Sequence, residues 1–519
     1  MTKHTWDFES SVKRIQTRLA EVQDISVVPY TRVTDLQSIA TNKAYLVDAV
    51  HIYIDIINTP QLFDSAKADT EYRHKLVLKF LNRHVRAIQR LIDQTGDVLV
   101  DMHNQRLHAF VAKPYDSDEN DREVSRIEHA VAISQLVIDV LKETGDDDAQ
   151  IENAKVSVGI DSGKALAVNN GRRGYREPLF LGNPANKAAK MLEGNRQGIF
   201  LTNNARVAVG LNEVDRPAAV PLTAAEVATC VESANLGITA EQIIELWKAD
   251  LKAKPTKNFQ FSRHTPPMAG LDFADLTPST SRRMEVVSVY ADIDGFTAFI
   301  NDAIEASATD EEGLEDAVKA LHVLRSELDA VLAGDFEGKK VRFIGDCIHG
   351  VLAEGTSIKT DDNASADDAV YCTAALHSGF NLASKLLQDD GIDTSSLGLQ
   401  VGLEYGVTAL TRLGMKGRRI PCVLSTSVIE SEEQQKKCSA GQTAIGKMAY
   451  SVASEPIQKL FKYYKATDLD FSEMCEQLAE QEDAKKVEAP PSILTSSKTS
   501  DSEHFRPHNP EFRPHASMK

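Results

Sequence analysis

Cysteine is scarce in this chain of 519 residues: six occur, Cys230, Cys347, Cys372, Cys422, Cys438 and Cys475, with no CxxC pair and no histidine at metal-ligand spacing. That scatter argues against a disulfide framework and against a zinc site, and suits reduced thiols in a cytoplasmic protein. Long apolar runs are also missing. No stretch approaches the roughly 18 apolar residues a membrane helix needs, and MTKHTWDFESSVKR has no apolar run behind its basic residues, so neither a membrane partner nor a secretory leader is expected. Positive charge is in deficit, with 58 Lys and Arg against 76 Asp and Glu and a formal charge of −18. A duplex nucleic acid needs clustered cations, so no nucleic-acid partner is expected either.

What the chain does contain is itself, twice. AVHIYIDI, ending at Asp55 and Ile56, pairs with EVVSVYADI, ending at Asp292 and Ile293. QRLHAFVA from Gln105 pairs with DCIHGVLA from Asp346, and VSVGIDSGKAL from Val156 pairs with LQVGLEYGVTAL from Leu399. The offset between copies grows from 237 to 241 to about 243, as small loop insertions would produce. Alternating apolar residues mark strands. LVLKFLNRHVRAIQRLI and AVKALHVLRSELDAVLA carry the helical period between the first two blocks, and a second helix follows the second block in each copy. The order is strand, helix, two strands, helix, strand, the βαββαβ pattern of an α+β ferredoxin-like fold.

This reading divides the chain into a helical N-terminal segment (1–40), a first domain (41–210), a polar helical insertion (211–262), a Pro/Ser/Thr-rich linker (263–283), a second domain (284–484) and a tail of disordered composition (485–519). The two domains are expected to face each other within one chain. The tail repeats FRPH, a candidate recognition element or an inert repeat.

The chemistry concentrates in the second copy. ADIDGFTAFI is followed some fifty residues later by VRFIGDCIHGVLA, which puts Asp292 and Asp346 at a strand end and in a hairpin beside Gly295 and Gly345. Two carboxylates on neighbouring strands are costly without cations. Mg²⁺ or Mn²⁺ takes such oxygen pairs together with substrate phosphates. In the first copy, PLFLGNPANKAAKMLE spaces Asn186 and Lys190 four apart, on one helix face. The second copy has Ile429 and Glu433 there, while the first copy keeps Asp55 but has Gln105 where the hairpin acid belongs. Each copy has lost what the other retains.

With these residues the chain resembles the class III nucleotide cyclases, whose metal strand reads D-I-x-G-F-T as Asp292 to Thr297 does, and whose hairpin reads G-D as Gly345-Asp346 does. The resemblance implies two divalent cations, Mn²⁺ or Mg²⁺, on Asp292, Asp346 and the Ile293 carbonyl. Asp294 falls at a variable position of the motif. Asn186 would orient the ribose and Lys190, where the family usually has arginine, would neutralise charge on the α-phosphate. The implied reaction is attack of the ribose 3′-hydroxyl on the α-phosphorus with departure of pyrophosphate. Backbone N–H groups around Gly295, Phe296 and Thr297 are candidates to cradle phosphate. Arg412, with Lys416 and Arg418 in TRLGMKGRR, is a candidate for the β- and γ-phosphates or a solvated basic loop.

For the base, the positions that read adenine in the family hold Asp101 and Leu179. An aspartate accepts from an exocyclic amine such as cytosine N4, so CTP is the expected substrate and cyclic CMP the product. Guanine also carries an amine. TWDF, SRRMEVVSVYADIDGFTAF, GYREPLFLGNPAN and VIESE extend the resemblance to the Pycsar cytidylate cyclases of bacterial anti-phage defence, whose cyclic nucleotide activates a separate effector protein. Other readings stay open: a uridylate, adenylate or guanylate cyclase, or a non-catalytic nucleotide sensor. A GGDEF-type diguanylate cyclase lacks its motif here.

Overall fold

The computed structural model describes residues 4–488 except 32–33, 35, 37–38, 63–68, 113–121, 146–151, 170–177, 256–257 and 308–311. Nearly all of the tail expectation (485–519), the FRPH repeats included, lies outside the described residues.

The chain opens with α1 (Phe8–Glu21), β1 (Ser26–Pro29), β2 (Lys43–Ile56), α2 (Glu71–Thr95), β3 (Val98–His103) and β4 (Arg106–Val111). It continues with α3 (Arg122–Leu141), β5 (Val156–Asn169), β6 (Pro178–Leu181), α4 (Asn183–Lys190), β7 (Gly198–Leu201) and α5 (Asn203–Ala208). Then come α6 (Ala224–Ala234), α7 (Ala240–Ala253), β8 (Phe261–Arg263), β9 (Ser281–Asp294), α8 (Phe296–Ala306) and α9 (Glu312–Asp329). β10 (Lys339–Ile344), β11 (Cys347–Leu352), β12 (Glu354–Gly355), β13 (Thr360–Asp361), α10 (Asp362–Asp389), β14 (Gly398–Leu413) and β15 (Ile420–Leu424) follow. The chain closes with α11 (Thr426–Gln435), β16 (Gln442–Ile445), α12 (Lys447–Val452), α13 (Glu455–Gln458), β17 (Lys465–Thr467) and α14 (Phe471–Glu488).

Two sheets repeat one plan. The first runs β3-β4-β2-β5-β6, and the second runs β10-β11-β9-β14 with β15 antiparallel on β14. In both, the four main strands are antiparallel, which is the ferredoxin-like order. Parallel additions match too: β1 on β2 and β7 on β5, β8 on β9 and β16 on β14.

The helices form for local reasons. Thr70 caps α2 at its start and Gly96, in the left-handed region, ends it. α6 and α7, in the insertion, each begin with a capping box, Thr223 with Glu226 and Thr239 with Gln242. Their apolar residues Cys230, Ile243, Ile244 and Trp247 are buried in the first sheet's core, and Arg83 of α2 lies over the Trp247 ring at 4.9 Å.

The cores are exchanged between halves. Leu166, Val168, Leu179 and Leu181 of β5 and β6 pack in the core of the second sheet, and Ala409, Leu413, Ile420 and Cys422 of β14 and β15 pack in that of the first. Although first in the chain, α1 lies on α9 and α10 of the second half. Trp6, Ile15 and Val22 are buried there, each contributing roughly 1.5–3 kcal/mol. Arg14 adds a fork, with Glu327 and Asp335 each at 2.7 Å. Among the described residues, no helix is long and apolar enough to cross a membrane.

Candidate active site

β9 delivers Asp292 to the edge of a cavity of about 1250 Å³ between the halves and ends in a turn at Gly295. Gly295 has φ of 82°, and a Cβ there would come within 2.6 Å of the Ser396 carbonyl oxygen, so only glycine fits this turn. α8 starts at the next residue, so its first turn, whose N–H groups have no partner within the helix, lies at the cavity that Phe296 and Thr297 line. The two-residue hairpin Gly345-Asp346 joins β10 to β11, with Ile344 paired to Cys347, and brings Asp346 beside the end of β9.

Both carboxylates are held above their ordinary range. Burial is the larger cause for each; Asp294 then repels charge on Asp292, and Asp292 repels charge on Asp346. The Gln435 amide, 3.3 Å from Asp292, and the charge of Arg325 near Asp346 offset only part of this. Arg325 itself is stacked at 3.7 Å on the Phe343 ring. Three acids with one recessed arginine make a hard-oxygen set that fits divalent cations.

The opposite wall comes from the first half. α4 presents Asn186 and Lys190 on one face, both lining the cavity with Lys190 exposed. Asn186 Nδ2 donates to Thr297 Oγ1 at 2.6 Å, so two residues 111 apart in sequence meet across the halves. Asp101 and Leu179 line the same cavity, as do Ile293 and Gly295.

No protein-family model matches the chain. It is 48% identical over 487 residues, 93% of each chain, to a curated "Uridylate cyclase" of Pseudomonas aeruginosa. A second curated "Uridylate cyclase", from a Rhizobium species, is 38% identical over 456 residues, 84% of each chain. A crystal structure described as a class III adenylyl cyclase-like ATP-binding protein from Pseudomonas aeruginosa superposes with a TM-score of 0.88 at 47% identity, over 92% of this chain and all of that one. The chain belongs to the class III nucleotide cyclases. It is accordingly a nucleotidyl cyclase, a phosphorus–oxygen lyase.

The cyclase fills its mirror site with its own side chains. Arg106 Nε donates to Asp55 Oδ2 at 2.9 Å, which gives the buried carboxylate an internal cation. Glu432 of α11 accepts from Asn104 Nδ2 at 2.7 Å and His103 Nε2 at 3.1 Å in the hairpin equivalent to Gly345-Asp346, and pairs with Lys436 at 2.8 Å. Those partners hold Glu432 well below the usual carboxylate range despite its burial.

Arg412, a candidate for the β- and γ-phosphates or a basic loop, is not among the residues that line the cavity. Its guanidinium donates to the carbonyls of Arg419 and Ala274, away from the cavity. The cause is the fold of the β14–β15 turn onto α2, where Gly414 N–H donates to Asn82 and Met415 N–H to Gln89. Arg418 of the same turn pairs with Asp93. Asp101 is also more engaged than expected: Oδ1 accepts from Arg342 at 2.9 Å and from the Met102 N–H at 2.7 Å.

Sequence reasoning passed over Arg342, Tyr53, His108 and Gln435. Arg342 was within reach, because it stands four residues before Asp346 as Asp101 stands four before Gln105. His108 stacks on Tyr53 at 4.4 Å and meets His51 at 2.9 Å, and burial keeps both imidazoles well below the usual histidine range. Tyr53, His108 and Phe180 thus form an aromatic, uncharged wall beside Asp101.

Proposed function

We propose that this cyclase converts UTP to 3′,5′-cyclic UMP and pyrophosphate at one composite site per chain, built by two tandem cyclase-like domains (41–210 and 284–484) that act as an intramolecular pseudo-heterodimer. The observation that carries the base is the Arg342–Asp101 pair, read beside the relatives' names. With Oδ1 taken, one carboxylate oxygen is left for a base, and it accepts the N3–H of uracil as readily as the N4 amine of cytosine. Cytosine N3 would add a second acceptor next to that oxygen. CTP remains the second reading, favoured by the same carboxylate facing the exocyclic amine.

Asp292, Asp346 and the Ile293 carbonyl would hold two divalent cations, Mn²⁺ or Mg²⁺. When bound, these supply the Lewis acidity that a 3′-hydroxyl nucleophile and a triphosphate require. The chain's own groups do the positioning. Asn186 holds the ribose in line with the α-phosphorus, Lys190 meets the charge that develops on the α-phosphate, and the first N–H groups of α8, at Phe296 and Thr297 beside Gly295, receive phosphate oxygens. Leu179 and the aromatic wall exclude water from the base.

The product would act in the cytoplasm on a separately encoded effector, in anti-phage defence as the Pycsar resemblance implies. The deciding assay incubates the protein with Mn²⁺ and each of ATP, GTP, CTP and UTP and identifies products by mass spectrometry. Cyclic UMP as the main product supports the first reading, cyclic CMP the second, and a purine product overturns both.

A further inference from the structure

α4 has no cap of its own. Its N-cap is Gly182, which offers no side chain to the free N–H groups of the first turn. The missing acceptor comes from the other half: Asn301 Oδ1, on α8, accepts the Asn183 N–H at 2.7 Å. Both ends of the Asn301 amide are engaged, because Nδ2 donates to the Thr297 carbonyl at 2.7 Å on the preceding turn of α8. Thr297 Oγ1 is in turn the acceptor of Asn186. Close contact supports the joint, since a Cβ at Gly182 would stand 3.3 Å from Ile304 of α8. The mirror joint is built differently. There α11 carries its own cap, Ser425, which accepts from Val428, and the Asp69 contact to the Thr426 N–H at 3.0 Å only adds to it.

We infer that Asn301 is a positioning residue of the cyclase reaction: it caps, from the half that bears Asp292 and Asp346, the helix that presents Asn186 and Lys190, and thereby fixes the distance between the two sets of groups. A neutral acceptor suits this place better than a charged one for substrate binding, because it borders a cavity already lined by Asp292, Asp294 and Asp302. The inference rests on the roles proposed for Asn186 and Lys190.

The test measures kcat and KM by pyrophosphate release, with the best triphosphate substrate, for Asn301→Ala, Asn301→Asp, Asn186→Ala and the double variant Asn186→Ala/Asn301→Ala. Displacement of α4 predicts a fall in kcat of roughly 10–100-fold for Asn301→Ala with KM changed by less than about 3-fold. The double variant should be hardly slower than Asn186→Ala, since coupled residues are not additive. Asn301→Asp keeps the acceptor for Asn183 N–H, so its kcat should stay within about 5-fold while KM rises from the added charge. Full kcat in Asn301→Ala, additive losses in the double variant, or equal damage from Asp and Ala would each overturn the inference. Should Asn301→Ala fail to fold, the Asp variant and its double with Asn186→Ala carry the comparison. Full turnover in Asn186→Ala would instead remove the underlying reading, a result distinct from the others.

Discussion

Arg342 of β10 reaches across the cleft to Asp101 of β3, with Nη1 2.9 Å from Oδ1, and so joins the two halves at equivalent positions of the repeat. The guanidinium is buried and also donates to the Pro421 carbonyl, so it is held from two sides. Asp101 is therefore fixed before any nucleotide arrives.

Base choice should depend on this pair. Asp101→Asn keeps an acceptor but can also donate, so the ratio of kcat/KM between UTP and CTP should fall toward 1 while kcat for the better substrate drops less than about 10-fold. An unchanged ratio would show that Asp101 does not read the base.

Asp292→Ala and Asp346→Ala should each reduce turnover by at least about 10³-fold and abolish Mn²⁺ binding measured by calorimetry, with circular dichroism unchanged. Asp55→Asn and Gln105→Ala should keep activity within about 3-fold, because Arg106 and Glu432 already fill that side. Equal damage from Asp55→Asn would reverse the assignment of working and mirror sites.

Within one chain Asn186 of the first half already meets Thr297 of the second across the cavity. Co-expressed Asp292→Ala and Lys190→Ala chains should therefore form no more cyclic nucleotide than either alone, since each chain lacks one set of groups. Substantial rescue would mean that the halves pair between two chains.

Stability should also carry a pH signature from two carboxylates at matching places in the halves. Burial pushes Asp161, which accepts from Thr202, up to about 6 and Glu404, which accepts from the Ala449 N–H, up to about 7. The folded state keeps these protons longer than the unfolded one, so the contribution of these two groups to stability is largest below the ordinary carboxylate range and is lost as pH rises from about 4 to 7. Glu404→Gln should flatten the fall in Tm between pH 5 and 8. Parallel curves for the two proteins would exclude Glu404 as a source.

The repeat was legible because both copies keep strand alternation and helical period in the same order, and the Asn186–Lys190 spacing already implied one helix face. That Asp292 and Asp346 come together was readable for the same reason, since Asp292 stands three residues before Gly295 at a strand end and Asp346 follows Gly345 in a hairpin. Three things were not. Helical periodicity says that α1 has an apolar face but not which of two similar cores receives it. A basic loop such as Arg412 to Arg418 reads alike whether it meets phosphate or its own carbonyls, and the α2 side chains that capture it lie more than 300 residues earlier. Asn301 is one of several polar residues in α8, and its value depends on the absence of a cap in another helix.

The docking of α1 onto α9 fixes an order of events during synthesis. Arg14 is made 313 residues before Glu327, and at about 5–20 residues per second the ribosome needs roughly 15–60 s to cover that span. Throughout that interval Trp6, Ile15 and Val22 have no second-half core to enter. A segment made early is thus among the last to find its place, and the core of the second half is completed by residues that have waited for it.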